Sequence, residues 1–366
     1  MSRALSALAT VIDPELRRPI TELGMVGKLG ETENEVEAEI KLTIIGCPAA
    51  QAIERDVKQA LSKQFESVSV TMTTMSAEER EELKKKLRGD KPMKFNPFAH
   101  SDCLTRIIFV GSGKGGVGKS TLTVNLAAAL AKSGFKVGLL DADIFGYSIP
   151  NLMGINQSPT KVDELMLPPI AFDVKVISIG FFVTDNKPVA WRGPMLHRAV
   201  EQFLTDVYWG DLDFLLVDLP PGTGDVAISL GQLLPNAQSL VITTPQAAAA
   251  SIAERSGAIG LMTGQSVLGV IENLSYLETE QGKNFLFGEG GGKAVAHRLS
   301  ELSGQDVRLL GQIPISQVLR ASADRGVPVV VSDAEDPAAK AIEGIAAEIA
   351  KVPRGLSGKK LGLNPI

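Results

Sequence analysis

Cysteine and histidine are scarce in this 366-residue chain, which has Cys47, Cys103 and the three histidines His100, His197 and His297. Two thiols cannot form a disulfide framework, so a stapled secreted scaffold is excluded and reduced cytoplasmic thiols are the default. His100 and His297 have no partners at ligand spacing, and His197 suits packing better than metal binding. No run of 18 apolar residues occurs, and the N-terminal MSRALSALATVIDPEL has no apolar core followed by a small-residue cleavage site. The expectation is a soluble cytoplasmic protein with no membrane partner. A basic stripe is also missing: net charge is −5 and the two signs are interspersed, so nucleic acid is not the expected partner.

What the chain does have is length and apolar content, 44% hydrophobic residues, enough for one large domain and a small one. The first 89 residues read as a small α+β domain. Arg3 to Val11 has helical spacing. Val36, Ala38, Ile40 and Leu42 alternate with Glu35, Glu37, Glu39 and Lys41 as a half-buried strand, and Val68, Val70 and Met72 repeat the pattern. Between them Ile53, Val57 and Leu61 stand four apart on one helix face. Ser76 and Glu79 have capping-box spacing before a charged helix that ends near Gly89.

Residues 90–104 hold two prolines and no period, which marks a linker. From 105 to 352 apolar strands alternate with helices. Strands are expected at Arg106–Val110, Lys136–Leu140, Val174–Ile179, Phe214–Val217, Leu240–Thr243, Val267–Ile271 and around Leu309–Leu310. Helices are expected at Ser120–Ser133, Leu196–Val207, Ala247–Met262 and Lys293–Ser303. That order predicts an α/β fold with a mainly parallel sheet between helices. The stretch 353–366 is too rich in glycine and proline for a helix and reads as a flexible tail. Pro337 to Lys351 carries Ile342, Ile345 and Ile349 as a core-facing stripe.

The chemistry concentrates after the first of these strands. Gly113-Lys114-Gly115-Gly116-Val117-Gly118-Lys119-Ser120 has the spacing of a phosphate-binding loop between an apolar strand and a helix. Glycines let successive backbone N–H groups turn inward on phosphate oxygens, and the helix start adds its positive dipole end. Lys119 is expected to reach the β/γ-phosphates of a nucleoside triphosphate, Ser120 to ligate Mg²⁺, and Thr121 to continue the contact in the first helical turn. Lys114 reads in two ways, as a solvated lysine or as a finger meeting a phosphate bound by a second subunit. Asp141 and Asp143 follow the strand ending Leu139-Leu140, and Asp218 follows Leu215-Leu216-Val217. Carboxylates at this edge of a parallel sheet sit where ligands bind. Asp141 is assigned to the metal, Asp143 to the attacking water and Asp218 to the Mg²⁺ shell. The loop Leu219-Pro220-Pro221-Gly222-Thr223-Gly224-Asp225 is placed to sense the γ-phosphate.

These motifs together resemble the Mrp family of P-loop ATPases, in the larger group that contains MinD, ParA and the nitrogenase iron protein. Trp191-Arg192-Gly193-Pro194-Met195, Val241-Ile242-Thr243-Thr244-Pro245-Gln246, Glu272-Asn273-Leu274-Ser275-Tyr276, Phe287-Gly288-Glu289-Gly290-Gly291-Gly292 and Gly311-Gln312-Ile313-Pro314 extend the resemblance over roughly 105–352. The N-terminal segment resembles the small domain of iron–sulfur assembly proteins through Asp13-Pro14-Glu15, Glu22-Leu23-Gly24-Met25, Thr43 and Gly46-Cys47-Pro48. The resemblance implies a homodimeric ATPase that uses ATP and Mg²⁺ and carries iron–sulfur clusters to apoproteins. It also implies Asn273 as an adenine contact, with the segment after Pro314 closing on the base.

One departure stands out. Many members have a Cys-x-x-Cys pair after the Glu-Asn-x-Ser-Tyr stretch, whereas this chain reads Leu277-Glu278-Thr279-Glu280-Gln281-Gly282-Lys283-Asn284. Carboxylates replace thiolates poorly as cluster ligands, so the usual bridging cluster site is absent. Cys47 precedes a helix whose dipole favours the thiolate, which makes it a candidate reactive thiol; the alternative is a small residue packed in a tight turn. Two other roles remain open: a nucleotide-switched scaffold for iron–sulfur assembly without its own cluster, and a MinD- or ParA-like positioning ATPase.

Overall fold

The alternating face of Val36, Ala38, Ile40 and Leu42 is buried throughout in the computed structural model, which describes residues 2–89, 95–100, 102–144, 146–183, 193–222 and 224–351. Residues 90–94 and Ser101 of the linker, Trp191-Arg192, Thr223 and the tail 353–366 lie outside the described residues. The chain divides into two compact units that do not follow a simple cut along the sequence. One holds the described residues up to Phe95 together with Pro159–Ile170 and Asp206–Gly210. The other holds Asn96–Ser158, Ala171–Thr205 and the described residues from Asp211 onward.

The small unit begins with α1 (Arg3–Leu8), β1 (Val26–Glu31), β2 (Glu35–Leu42), α2 (Ala50–Leu61), β3 (Ser67–Thr74) and α3 (Ala77–Arg88). Strand β2 is central, antiparallel to β1 and parallel to β3 over eight residues, from Glu35 opposite Ser67 to Leu42 opposite Thr74. The crossover α2 buries Ile53, Val57 and Leu61, the stripe its four-residue spacing predicts. At α3 the predicted capping box is complete: Ser76 Oγ accepts from Glu79 N and Glu79 Oε2 accepts from Ser76 N.

The large unit starts with β4 (Arg106–Ser112), α4 (Lys119–Lys132), β5 (Val137–Asp141) and the short α5 (Ile149–Leu152). The chain then enters the small unit as a hairpin, β6 (Thr160–Val162) and β7 (Leu165–Leu167). Val162, Leu165 and Leu167 join the core that holds Leu8, Ile40 and Ile53. After it come β8 (Ile170–Ala171), β9 (Val174–Ser178), a 3₁₀ turn (Ile179–Phe182), α6 (Gly193–Thr205), β10 (Phe214–Asp218), α7 (Asp225–Leu233), β11 (Gln238–Thr243), α8 (Ala247–Met262) and β12 (Ser266–Glu272). The chain continues with hairpin β13 (Leu277–Thr279) and β14 (Gly282–Asn284), then α9 (Gly291–Ser303), β15 (Leu309–Gln312), α10 (Gln317–Asp324), α11 (Val329–Ser332) and α12 (Pro337–Ala350).

Eight strands form one sheet in the order β15-β12-β11-β4-β10-β5-β9-β8, and the pairs from β15 through β9 are parallel. The expected α/β fold is therefore observed. Each of the seven expected strands is present to within two or three residues. β4, which feeds the glycine loop, is central, with β10 and β11 beside it. All five residues of β5 and of β10 are buried, as strands covered on both faces require. Ile342, Ile345 and Ile349 of α12 are also buried, so its apolar stripe faces the core. No helix among the described residues is long and apolar enough to cross a membrane.

Candidate nucleotide site

Parallel pairing brings the ends of three strands together. Asp218 at the end of β10 stands in register with Asp141 at the end of β5 and with Val110 of β4, just before the glycine loop. The loop leaves β4 and returns as α4, whose N-cap, Gly118, has φ +82° and no side-chain capping bond. The N–H groups of the first turn of α4 thus have no capping side chain, the arrangement that receives an anion. Gly118 must be glycine for two reasons. Its φ is left-handed, and a Cβ there would come within 2.4 Å of Asn273 Nδ2. A Cβ on Gly113 would likewise meet the backbone of α8 at 2.4 Å.

Lys119 is 6% exposed. Its Nζ lies 2.6 Å from Asp218 Oδ2, 3.1 Å from Ser120 Oγ and 3.9 Å from Asp143 Oδ2. Asp218 also accepts from Ser120 Oγ at 2.6 Å and from Thr123 Oγ1 at 2.7 Å. Asp141 accepts from Ser178 Oγ at 2.8 Å and Ile149 N at 3.4 Å, both on Oδ2, and from Asp143 N on Oδ1 at 3.1 Å. Asp143 in turn accepts from Gly146 N at 3.0 Å. Burial, and after it the charge of Asp218, pushes the Asp141 carboxyl up to about 7.

Lys119, Ser120, Asp141, Asp143 and Asp218 therefore form one cluster. The other expected ligands occupy three further positions. Lys114 is exposed in the loop with Gly115 and Gly116, whereas Val117 is buried and Thr121 is half-buried in the first turn of α4. Asn273 donates from Nδ2 to Val117 O at 2.8 Å, while its Oδ1 is buried with no hydrogen-bond partner. Pro314 is buried in a segment that runs beside Asn273: Ser275 N bonds Ile313 O and Ile315 N bonds Tyr276 O.

An implied nucleotide and divalent ion fit these residues. The loop leads into the uncapped start of α4, the orphaned Asn273 Oδ1 can accept from an exocyclic amine, and hydroxyl plus carboxylate oxygens are the hard donors Mg²⁺ prefers. Two contributors escaped sequence reasoning. Thr123 lies four residues after Lys119, on the same helix face, and that spacing was a usable signal. Ser178 is the last residue of β9, in register with Asp141; its partner is set by strand order, which the sequence alone does not supply.

The thiol reading needs a correction. Cys47 does precede α2, but it is only 6% exposed and its Sγ lies 3.6 Å from Glu15 Oε2. Burial first and the Glu15 charge second push the thiol up to about 11, against the expected effect of the helix dipole. The stretch 277–284, which has no cysteine in the sequence, forms the hairpin β13–β14. Among the described residues, no group of three or more histidine, cysteine, aspartate or glutamate side chains is arranged to hold a metal ion.

The fold is that of the P-loop NTPases of the MinD and ParA type. Residues 103–350 match the model of the NUBPL iron-transfer P-loop NTPases, and the chain belongs to that family. Residues 2–72 match the model of an iron–sulfur cluster assembly protein. An iron–sulfur cluster carrier protein of Mycobacterium bovis is 56% identical over 364 residues, 98% of this chain and 96% of the relative. A nucleotide-binding protein of Archaeoglobus fulgidus, solved in complex with ADP, is 33% identical with a TM-score of 0.53, covering 65% of this chain and 95% of its own. The cell-division ATPase MinD of Pyrococcus furiosus is 25% identical with a TM-score of 0.50, covering 67% of this chain and 98% of its own.

Proposed function

We propose that this protein binds and hydrolyses ATP with Mg²⁺ as a homodimer in the cytoplasm, and that its nucleotide cycle serves iron–sulfur cluster assembly or delivery to apoproteins. The observation that carries the reading is the convergence of Lys119, Ser120, Asp141, Asp143 and Asp218 at the uncapped start of α4. The glycine loop and Lys119 hold the β/γ-phosphates. Ser120 and Asp141, with Asp218 behind Ser120, hold Mg²⁺, which when bound neutralises charge developing on the phosphoryl oxygens. Asp143 orients the attacking water. Lys114, exposed in the loop, reaches the phosphate of the opposite subunit. Asn273 and the Pro314 segment receive adenine.

The hairpin at 277–284 favours a second reading of the cargo, in which the protein is a nucleotide-switched scaffold and holds no cluster at that position. Two measurements test both levels. Calorimetry with Mg·ATP and a phosphate-release assay should show binding and turnover in the wild type and neither in Lys119→Ala. Anaerobic reconstitution with iron and sulfide, followed by iron counting and the charge-transfer absorbance, decides the cargo. A bound cluster of any kind would refute the scaffold reading, and one that persists in Cys47→Ser is not held by Cys47.

A further inference from the structure

The two segments that grip Asp141 also delimit the excursion into the small unit. Ile149 N–H and the Ser178 hydroxyl both bond Asp141 Oδ2, and the chain between them contains hairpin β6–β7. A third connection runs through Asp206–Gly210, which leads into β10 and its terminal Asp218. The hairpin pairs with that segment by backbone bonds from Met166 N to Asp206 O and from Tyr208 N to Met166 O, each 2.8 Å.

The hairpin is firmly seated in the small unit. Val162, Leu165 and Leu167 are at most 2% exposed. Asp163 pairs with Lys84 at 2.9 Å and Arg80 at 3.6 Å. Thr160 Oγ1 donates to Glu15 Oε1 at 2.6 Å, and the other oxygen of that carboxylate accepts from the Cys47 thiol. A single carboxylate therefore joins the first residue of the hairpin, at its base, to the buried thiol.

We propose that hairpin β6–β7 is a strap that keeps the Cys47 thiol buried and that loosens when Mg·ATP binds. The trigger rests on the nucleotide reading above. A divalent ion at Asp141 competes with Ile149 N–H and the Ser178 hydroxyl for the same carboxylate, which loosens both ends of the excursion together. Through the Thr160–Glu15 bond that slack reaches Cys47.

The test is the rate at which N-ethylmaleimide labels Cys47 in the full-length protein, followed by peptide mass spectrometry, with Cys103 as the internal control. With little change in volume, Thr160→Val removes the bond to Glu15 and Asp163→Asn removes the charge that pairs with Lys84 and Arg80. Each should raise the Cys47 rate about tenfold, the scale of one lost charge-assisted hydrogen bond, and leave Cys103 unchanged. Mg·ATP should raise the wild-type Cys47 rate by a similar factor. Equal Cys47 rates in the wild type and both hairpin variants would overturn the strap. Calorimetric binding of Mg·ATP with no change in the Cys47 rate would overturn the trigger and leave the nucleotide site standing. Absence of binding heat would overturn the nucleotide reading itself, while the hairpin variants still decide the strap.

Discussion

The Lys119 ammonium is the charge that lets buried Asp218 and Asp141 stand at adjacent strand ends. Removing one partner of a buried ion pair typically costs about 3–5 kcal/mol because the other charge is left uncompensated. Lys119→Ala should therefore lower the urea midpoint as well as eliminate Mg·ATP binding, and an unchanged midpoint would show that the pair does not stabilise the fold. Asp141 gives the pH counterpart. Its carboxyl is raised from the ordinary aspartate value to about 7 by burial and by Asp218. A raised acid contributes stability that is fully present below its unfolded pKa and is lost as pH rises through the folded one. Metal-free wild-type protein should accordingly lose stability between about pH 4 and 7 relative to Asp141→Asn. Parallel urea midpoints for the two proteins across that window would remove the assigned cause.

At the scale of elements, what was legible in the sequence was what local chemistry determines. The glycine loop announces itself because its spacing is local, Gly116 and Gly118 take left-handed φ, and the strand and helix that frame it adjoin it in sequence. The edge carboxylates were legible because a parallel sheet collects the ends of its strands. Hairpin β6–β7 was not: strands of three residues show no period, and the burial of Val162, Leu165 and Leu167 depends on a core assembled from residues up to Leu83. The choice between the two readings of Cys47 was not legible for the same reason, since the carboxylate that governs its thiol lies 32 positions away. The hairpin's share in the small unit can be measured. Leu165→Ala deletes a side chain that is 2% exposed and should cost about 2–5 kcal/mol in the unfolding of that unit. If urea unfolding of the full-length protein showed no loss, the hairpin would be an ornament on a core already complete without it.

For the whole molecule the open question is whether one chain completes a site. Lys119 is buried against Asp218, whereas Lys114, five residues earlier in the same loop, is exposed. A lysine that serves its own phosphates has reason to sit where Lys119 does; one that serves a neighbour must project outward. Lys114→Ala should retain the heat of Mg·ATP binding and lose phosphate release by about 10³-fold, the low end of what a finger supplied in trans contributes. Loss of turnover alone does not separate a trans role from a cis one, and a mixing experiment does. Lys114→Ala supplies an intact Asp143, and Asp143→Asn supplies an intact Lys114. In a dimer with trans fingers, the mixed species contains one site with both groups, so two inactive proteins should regain activity when combined. Sedimentation velocity with Mg·ATP would establish that mixed dimers form. If they form and phosphate release stays at the level of either variant alone, Lys114 does not act on its partner's nucleotide.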